Sequence, residues 1–184
     1  MRKALLVIDY TNDFVATDGK LTCGDPGQAL EKTITSLIEN FMDNNEVVIF
    51  ANDLHEENDV FHPEAKLFPP HNIRGTSGRL LYGAVGELYE EKQAQFIWLD
   101  KTRYSAFAGT NLDILLKERG IEEIHLVGVC TDICILHTAV DAYNLCIPTV
   151  IYENGVASFD AAGHTWALNH FKNTLGATVN NFLA

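Results

Sequence analysis

Five short runs of apolar and β-branched residues, at 4–8, 47–51, 96–99, 124–129 and 148–152, punctuate the chain. Runs this short, without polar alternation, read as strands buried on both faces of a parallel sheet. Between them the period changes. Residues 29–43 carry Leu30, Ile34, Leu37, Ile38 and Phe41 at helical spacing, behind Asp25-Pro26 as a start signal. A helix at 111–119 stops at Gly120, one at 131–144 opens on Thr131 as N-cap, and one at 161–175 ends near Gly176. Strands alternating with helices predict βαβ units, and so a single α/β domain over 1–184 with a doubly wound parallel sheet. Residues 52–78 break the pattern. They hold Asp53, His55, His62, Glu64 and His71 with Pro63, Pro69 and Pro70, and show neither period. So long a loop in a compact domain is functional or disordered, and its histidines and aromatics argue against disorder.

Composition narrows the function. The chain is 47% apolar, an ordinary globular value, and its 13 Lys and Arg against 25 Asp and Glu leave a net charge of −12. Such a surface repels nucleic acids and anionic membranes, whose binding rests on Lys and Arg. No run approaches the roughly 20 apolar residues of a membrane span. The apolar run at 4–8 follows two basic residues but is too short for a signal peptide. With no secretory context, Cys23, Cys130, Cys134 and Cys146 are expected as free thiols in a reducing cytoplasm.

Sheets of this kind bind ligands at the carboxyl ends of their strands. Four predicted strand ends deliver reactive groups there: Asp9, the Asp53-Leu54-His55 segment, Asp100-Lys101, and Gly128 to Thr131 before a helix. Cys134 falls in the first turn of that helix, where free N–H groups and the helix dipole favour a thiolate and can hold an oxyanion. The competing reading is a buried cysteine acting as a small hydrophobe. A carboxylate at Asp9, buried at a strand end, needs a cation or a proton, and either suits a general base beside a thiol. Lys101 supplies the cation. A purely structural Asp–Lys pair is the bland alternative. His137 stands three residues after Cys134 and is read as an ordinary helix-surface histidine, as are His125, His164 and His170 as ordinary histidines. In an extended segment Asp53 and His55 share one face. With His71 and either Glu64 or His62 they make three or four ligands for a divalent ion, zinc, iron or manganese. A solvated polar loop is the alternative.

These residues resemble the isochorismatase-like cysteine hydrolases, and among them the nicotinamidases. The matching blocks are ALLVIDYTNDF, NDLHEEND, HPEAKLFPPHNIRGTSG, LDKTRYSAF and GVCTDICILHTAVDA, spread over nearly the whole chain in the family's order. The resemblance implies a six-stranded Rossmann-like sheet and an Asp9–Lys101–Cys134 triad that hydrolyses nicotinamide, a small neutral amide, to nicotinate and ammonia through a thioester, in NAD salvage. It implies an oxyanion held by the backbone N–H groups of Cys130 and Cys134, with a cis Val129–Cys130 peptide. It also implies one divalent ion, zinc first, on Asp53, His55, Glu64 and His71, and aromatic walls from Phe14, Phe68 and Tyr104. Relatives are often homo-oligomers. Glu64 stands where many relatives have a third histidine, Phe68 where tryptophan is common, and Cys130 where a small or apolar residue is common.

Two other enzymatic readings fit the same residues. One is a related amidohydrolase acting on carbamoyl or ureido groups, whose relatives generally lack the metal loop. The other is a hydrolase using metal-bound water, with Cys134 as packing. Isochorismatase proper does not need the cysteine, and a non-catalytic binding module would leave Cys134 unreactive. A dinucleotide site is disfavoured, because Asp9-Tyr10-Thr11-Asn12 follows the first strand where G-x-G-x-x-G would stand.

Overall fold

The computed structural model describes residues 1–183; residue 184, the last of the expected domain, lies outside them. Six strands form the sheet: β1 Arg2–Ile8, β2 Val47–Asp53, β3 Ile97–Lys101, β4 Ile121–Val129, β5 Thr149–Ala157 and β6 Thr178–Asn180. All pairings are parallel, in the order β3-β2-β1-β4-β5-β6. The helices are α1 Asn12–Val15, α2 Asp25–Gln28, α3 Glu31–Asp43, α4 Gly83–Lys92, α5 Leu112–Glu118, α6 Leu136–Asn144 and α7 Ala161–Asn173.

Strand alternation explains the two layers. On β1, Leu5 and Val7 face one side and meet Ile34, Leu37, Ile38 and Phe41 of α3 with Val85 and Leu88 of α4. Ala4, Leu6 and Ile8 face the other side and meet Leu112 and Leu116 of α5, Ala139 and Ala142 of α6, and Leu168 and Phe171 of α7. Strand β1 is therefore apolar on both faces, which is why its run showed no alternation. Truncating a buried Leu, Ile or Phe among these to Ala costs about 2–5 kcal/mol.

The sheet reverses its winding between β1 and β4, the switch point where such folds bind ligands. There the backbones close tightly. Gly128 has φ 115°, and a Cβ on it would sit 2.0 Å from the carbonyl oxygen of Ile8. Only glycine fits.

Several expected bounds shift. The start signal at Asp25-Pro26 opens its own turn, α2, and α3 begins separately at Glu31. Strand β5 continues through Glu153-Asn154-Gly155, which reads as a turn but is absorbed by a register shift against Gly128. Cys130, not Thr131, is the N-cap before Cys134, and the first turn, Thr131–Ile135, is a π-turn that runs into α6. Asp53 belongs to β2 rather than to the loop. Helix α4 was not legible, because Gly83 and Gly86 dilute its pattern and only Val85 and Leu88 are buried.

Candidate active site

Three strand ends and one turn converge at the switch point. Asp9 follows β1 with φ 54°, a left-handed conformation uncommon outside glycine. Its Oδ1 accepts the backbone N–H of Asp53 at 2.7 Å, and its Oδ2 lies 2.7 Å from Lys101 Nζ. Lys101, 1% exposed at the end of β3, reaches Cys134 Sγ at 3.6 Å and donates to the carbonyl of Arg103 at 3.2 Å. It also donates to Asp53 Oδ1 at 2.5 Å, a partner the sequence did not suggest. One oxygen each from Asp9 and Asp53 lies within 4.8 Å of Cys134 Sγ. The structure thus brings Asp9, Lys101 and Cys134 together.

The electrostatics follow from burying three charges with one thiol. Burial, then the Asp53 carboxylate, pushes Asp9 up to about 6 against the pull of Lys101. Burial opposes the Lys101 charge, yet the Asp53 and Asp9 carboxylates outweigh it and hold its pKa well above the usual value. Burial also raises the Cys134 thiol well above its ordinary value, with Lys101 opposing. Burial thus works against the helix dipole at Cys134 and sets its thiol beside a carboxylate placed to take the proton. The carbonyl of Cys130 accepts N–H bonds from Ile133 (3.1 Å) and Ile135 (3.2 Å), so the intervening Cys134 is passed over. The Val129–Cys130 peptide is cis.

Four donors gather on the other side of Asp53. Ligand atoms of Asp53, His55, Glu64 and His71 lie within 4.8 Å of one another, all buried. Asp53 Oδ2, His55 Nε2 and His71 Nε2 are buried without a hydrogen-bond partner. His71 Nδ1 is 2.8 Å from the carbonyl of Pro69, which places the proton on Nδ1 and leaves Nε2 a lone pair. Orphaned donors of this kind, mixed imidazole and carboxylate, fit a divalent cation. His62 does not join them. Its Nδ1 accepts the N–H of Glu64 and its Nε2 meets the carbonyl of Thr102 at 2.8 Å, so both ring nitrogens are used.

The loop that carries these ligands is docked from the start of α1. Asp13 Oδ2 accepts the N–H of Asn72 at 2.8 Å, Thr11 Oγ1 donates to Asn72 Oδ1 at 2.9 Å, and the Asn72 carbonyl accepts the N–H of His55. Arg79 Nε donates to the carbonyl of Asp53. None of these supports was read from the sequence, since they depend on contacts between distant segments.

A narrow chamber lies between thiol and metal donors, lined by Phe14, Phe68 and Tyr104 as well as Asp53, Glu64, Cys130 and Cys134. Leu21, Ile133 and Phe159 complete its wall and carried no sequence signal. Glu64 and Phe68 also face a wider outer cavity of about 200 Å³ with His55, His62 and His71. The remaining histidines keep ordinary roles. His137 Nδ1 donates to the carbonyl of Ile133 at 2.7 Å and its ring packs on Tyr104, while His125 bridges Tyr152 and Glu123.

Known proteins match this architecture closely. A crystal structure of the nicotinamidase/pyrazinamidase PncA from Bacillus subtilis is 56% identical, superposes with a TM-score of 0.96, and the match covers 98% of this chain and 100% of that one. The pyrazinamidase/nicotinamidase of Streptococcus mutans is 53% identical with a TM-score of 0.94, over 96% of this chain and 99% of that one. The nicotinamidase of Staphylococcus aureus is 48% identical with a TM-score of 0.85, over 98% and 99%. The isochorismatase domain model matches residues 3–181. A parallel sheet in this order, a buried cysteine at its switch point and a match over nearly the whole length give one result: the chain belongs to the isochorismatase family.

Proposed function

We propose that this chain is a nicotinamidase, hydrolysing nicotinamide to nicotinate and ammonia through a thioester on Cys134. One observation carries the reading. Asp53 joins the Asp9–Lys101–Cys134 group to a four-donor metal cluster, and both border a single aromatic-walled chamber.

The chain's own residues account for each step. Phe14, Phe68 and Tyr104 enclose a flat heteroaromatic ring, which turns the carboxamide towards Cys134 and excludes bulk water. Asp9 takes the thiol proton as Cys134 Sγ attacks the amide carbon, and Lys101 holds the developing anionic charge. The N–H groups of Cys130 and Cys134 receive the oxyanion. Asp9 returns the proton to the departing nitrogen, and ammonia leaves. It then takes a proton from a water that attacks the thioester, releasing nicotinate and restoring the thiol. Asp53, His55, Glu64 and His71 would hold one divalent ion, with zinc favoured by the donor set and iron or manganese as the other candidates. When bound, that ion supplies a Lewis acid for a ring nitrogen. The free thiols and the salvage of a pyridine nucleotide precursor support a cytoplasmic enzyme, the net charge of −12 argues against a nucleic-acid or anionic-membrane partner, and the family resemblance supports a homo-oligomer.

Ammonia release from nicotinamide and pyrazinamide, before and after chelation, tests this. Turnover of both that falls on chelation and returns with zinc is the expected result. No ammonia from nicotinamide by metal-loaded protein, with release from a carbamoyl substrate, would replace it with the related amidohydrolase reading.

A further inference from the structure

Two thiols lie in contact beside the chamber and have no place in the amide chemistry. Cys23 Sγ and Cys130 Sγ are 3.2 Å apart although 107 residues separate them in the chain. Both are free and buried. We propose that Cys23 and Cys130 form a reversible disulfide on exposure to a hydroperoxide, and that this bond is an oxidation-sensitive control on the neighbouring site. The control, though not the bond, rests on the amidase reading.

Geometry makes closure cheap. A disulfide brings its sulfurs to about 2.05 Å, so they must approach by roughly 1.2 Å. Both residues lie outside regular strand and helix: Cys23 precedes Gly24, at φ 61°, and Cys130 lies between β4 and the π-turn. Cys130 lines the chamber with Cys134, so a hydroperoxide reaches it by the substrate's route. One sulfur attacks the O–O bond and becomes a sulfenic acid, and the peroxide leaves as water or an alcohol. The second sulfur then attacks the sulfenic sulfur, forming S–S and expelling water. The thiol pair loses two electrons, the peroxide gains them, and both thiol protons leave in the products. The contact with Cys23, then burial, holds the Cys130 thiol well above its usual range, so closure is slow at neutral pH.

The bond acts on two walls at once. The N–H of Cys23 donates to the carbonyl of Phe14 at 2.8 Å, and the Phe14 ring meets His71 edge-on at 5.2 Å. Cys130 carries one of the proposed oxyanion donors. Drawing the two sulfurs together moves the Phe14 wall and the Cys130 backbone towards each other.

The test uses full-length Cys134→Ala/Cys146→Ser protein, which removes the competing nucleophile and the exposed thiol. After long exposure to hydrogen peroxide, it should lose about 2 Da and yield a Cys23–Cys130 linked peptide, both reversed by dithiothreitol. Cys23→Ser in the same background should give neither. Thiols that stay alkylatable, or gain oxygen without linking, overturn the bond. In protein with Cys134 intact, Cys23→Ser should keep basal turnover. The dithiothreitol-reversible inactivation of the wild type should be at least fivefold larger than in Cys23→Ser. A link that forms with equal inactivation in both overturns the control. Because mass and peptide readouts need no turnover, failure of the amidase reading remains distinguishable.

Discussion

At the scale of single residues, Cys134 and Lys101 make separable predictions. Cys134→Ala should reduce nicotinamide turnover by more than about 10³-fold while leaving bound metal unchanged, because the nucleophile lies outside the donor cluster. Turnover close to wild type would sink the thioester route and favour attack by metal-bound water. Lys101→Met leaves the Asp9 and Asp53 carboxylates buried without their shared cation. Breaking a buried pair from one side costs about 3–5 kcal/mol, so urea denaturation at neutral pH should show a loss of that order. Asp9, Lys101 and Cys134 were legible because a charged or thiol side chain at the end of an apolar strand demands an explanation. The Asp53–Lys101 contact was not, because a strand end announces its chemistry but not its neighbour. Between Glu64 and His62, only Glu64 falls in the candidate donor cluster, because both His62 nitrogens are engaged elsewhere.

Among the elements, the excursion between β2 and α4 depends most on support from outside itself. It carries little regular structure beyond the 3₁₀ turns Pro63–Lys66 and Ser77–Arg79, so its backbone is tied by contacts such as those of Asp13 and Thr11. Asp13→Ala leaves the Asn72 N–H without its acceptor next to His71. Groups that orient ligands are typically worth 10–100-fold in metal affinity. Chelator competition should show a loss of at least about tenfold, whereas Asp160→Ala, which removes the α7 N-cap bond to the Ala162 N–H, should cost only about 1 kcal/mol of stability and no metal. Helices α3 and α7 were visible in the spacing of their apolar residues. The π-turn before α6 was hidden, because Thr131 has the side chain of an N-cap while the backbone makes Cys130 serve.

For the whole molecule, the doubly wound sheet follows from apolar runs that have no polar face, and one buried titrating group gives it a pH signature. His125 lies inside β4 against Phe41, between Tyr152 and Glu123. Burial, opposed by Glu123, lowers its pKa below the ordinary 6.5. The neutral ring is the folded form, so this contribution is complete above pH 6.5 and is lost as pH falls below it towards the folded value. Asp9 shifts the opposite way, from 3.8 to about 6, and favours the fold as it protonates. Comparing His125→Gln with wild type cancels that contribution. Denaturation at pH 7.5 and 5.5 should show a smaller acid loss in the variant, and equal slopes would exclude His125 as the cause. Charge contributed an exclusion rather than a mechanism, since of 25 carboxylates only Asp9, Asp53 and Glu64 have been given chemistry.

The reacting groups sit on strand ends and one turn that the sheet itself holds in place, whereas His55, Glu64 and His71 all hang from the one excursion between β2 and α4. A change to that single excursion would therefore shift three of the four proposed metal donors at once, while Asp53, Phe14 and Tyr104 keep their places beside Cys134.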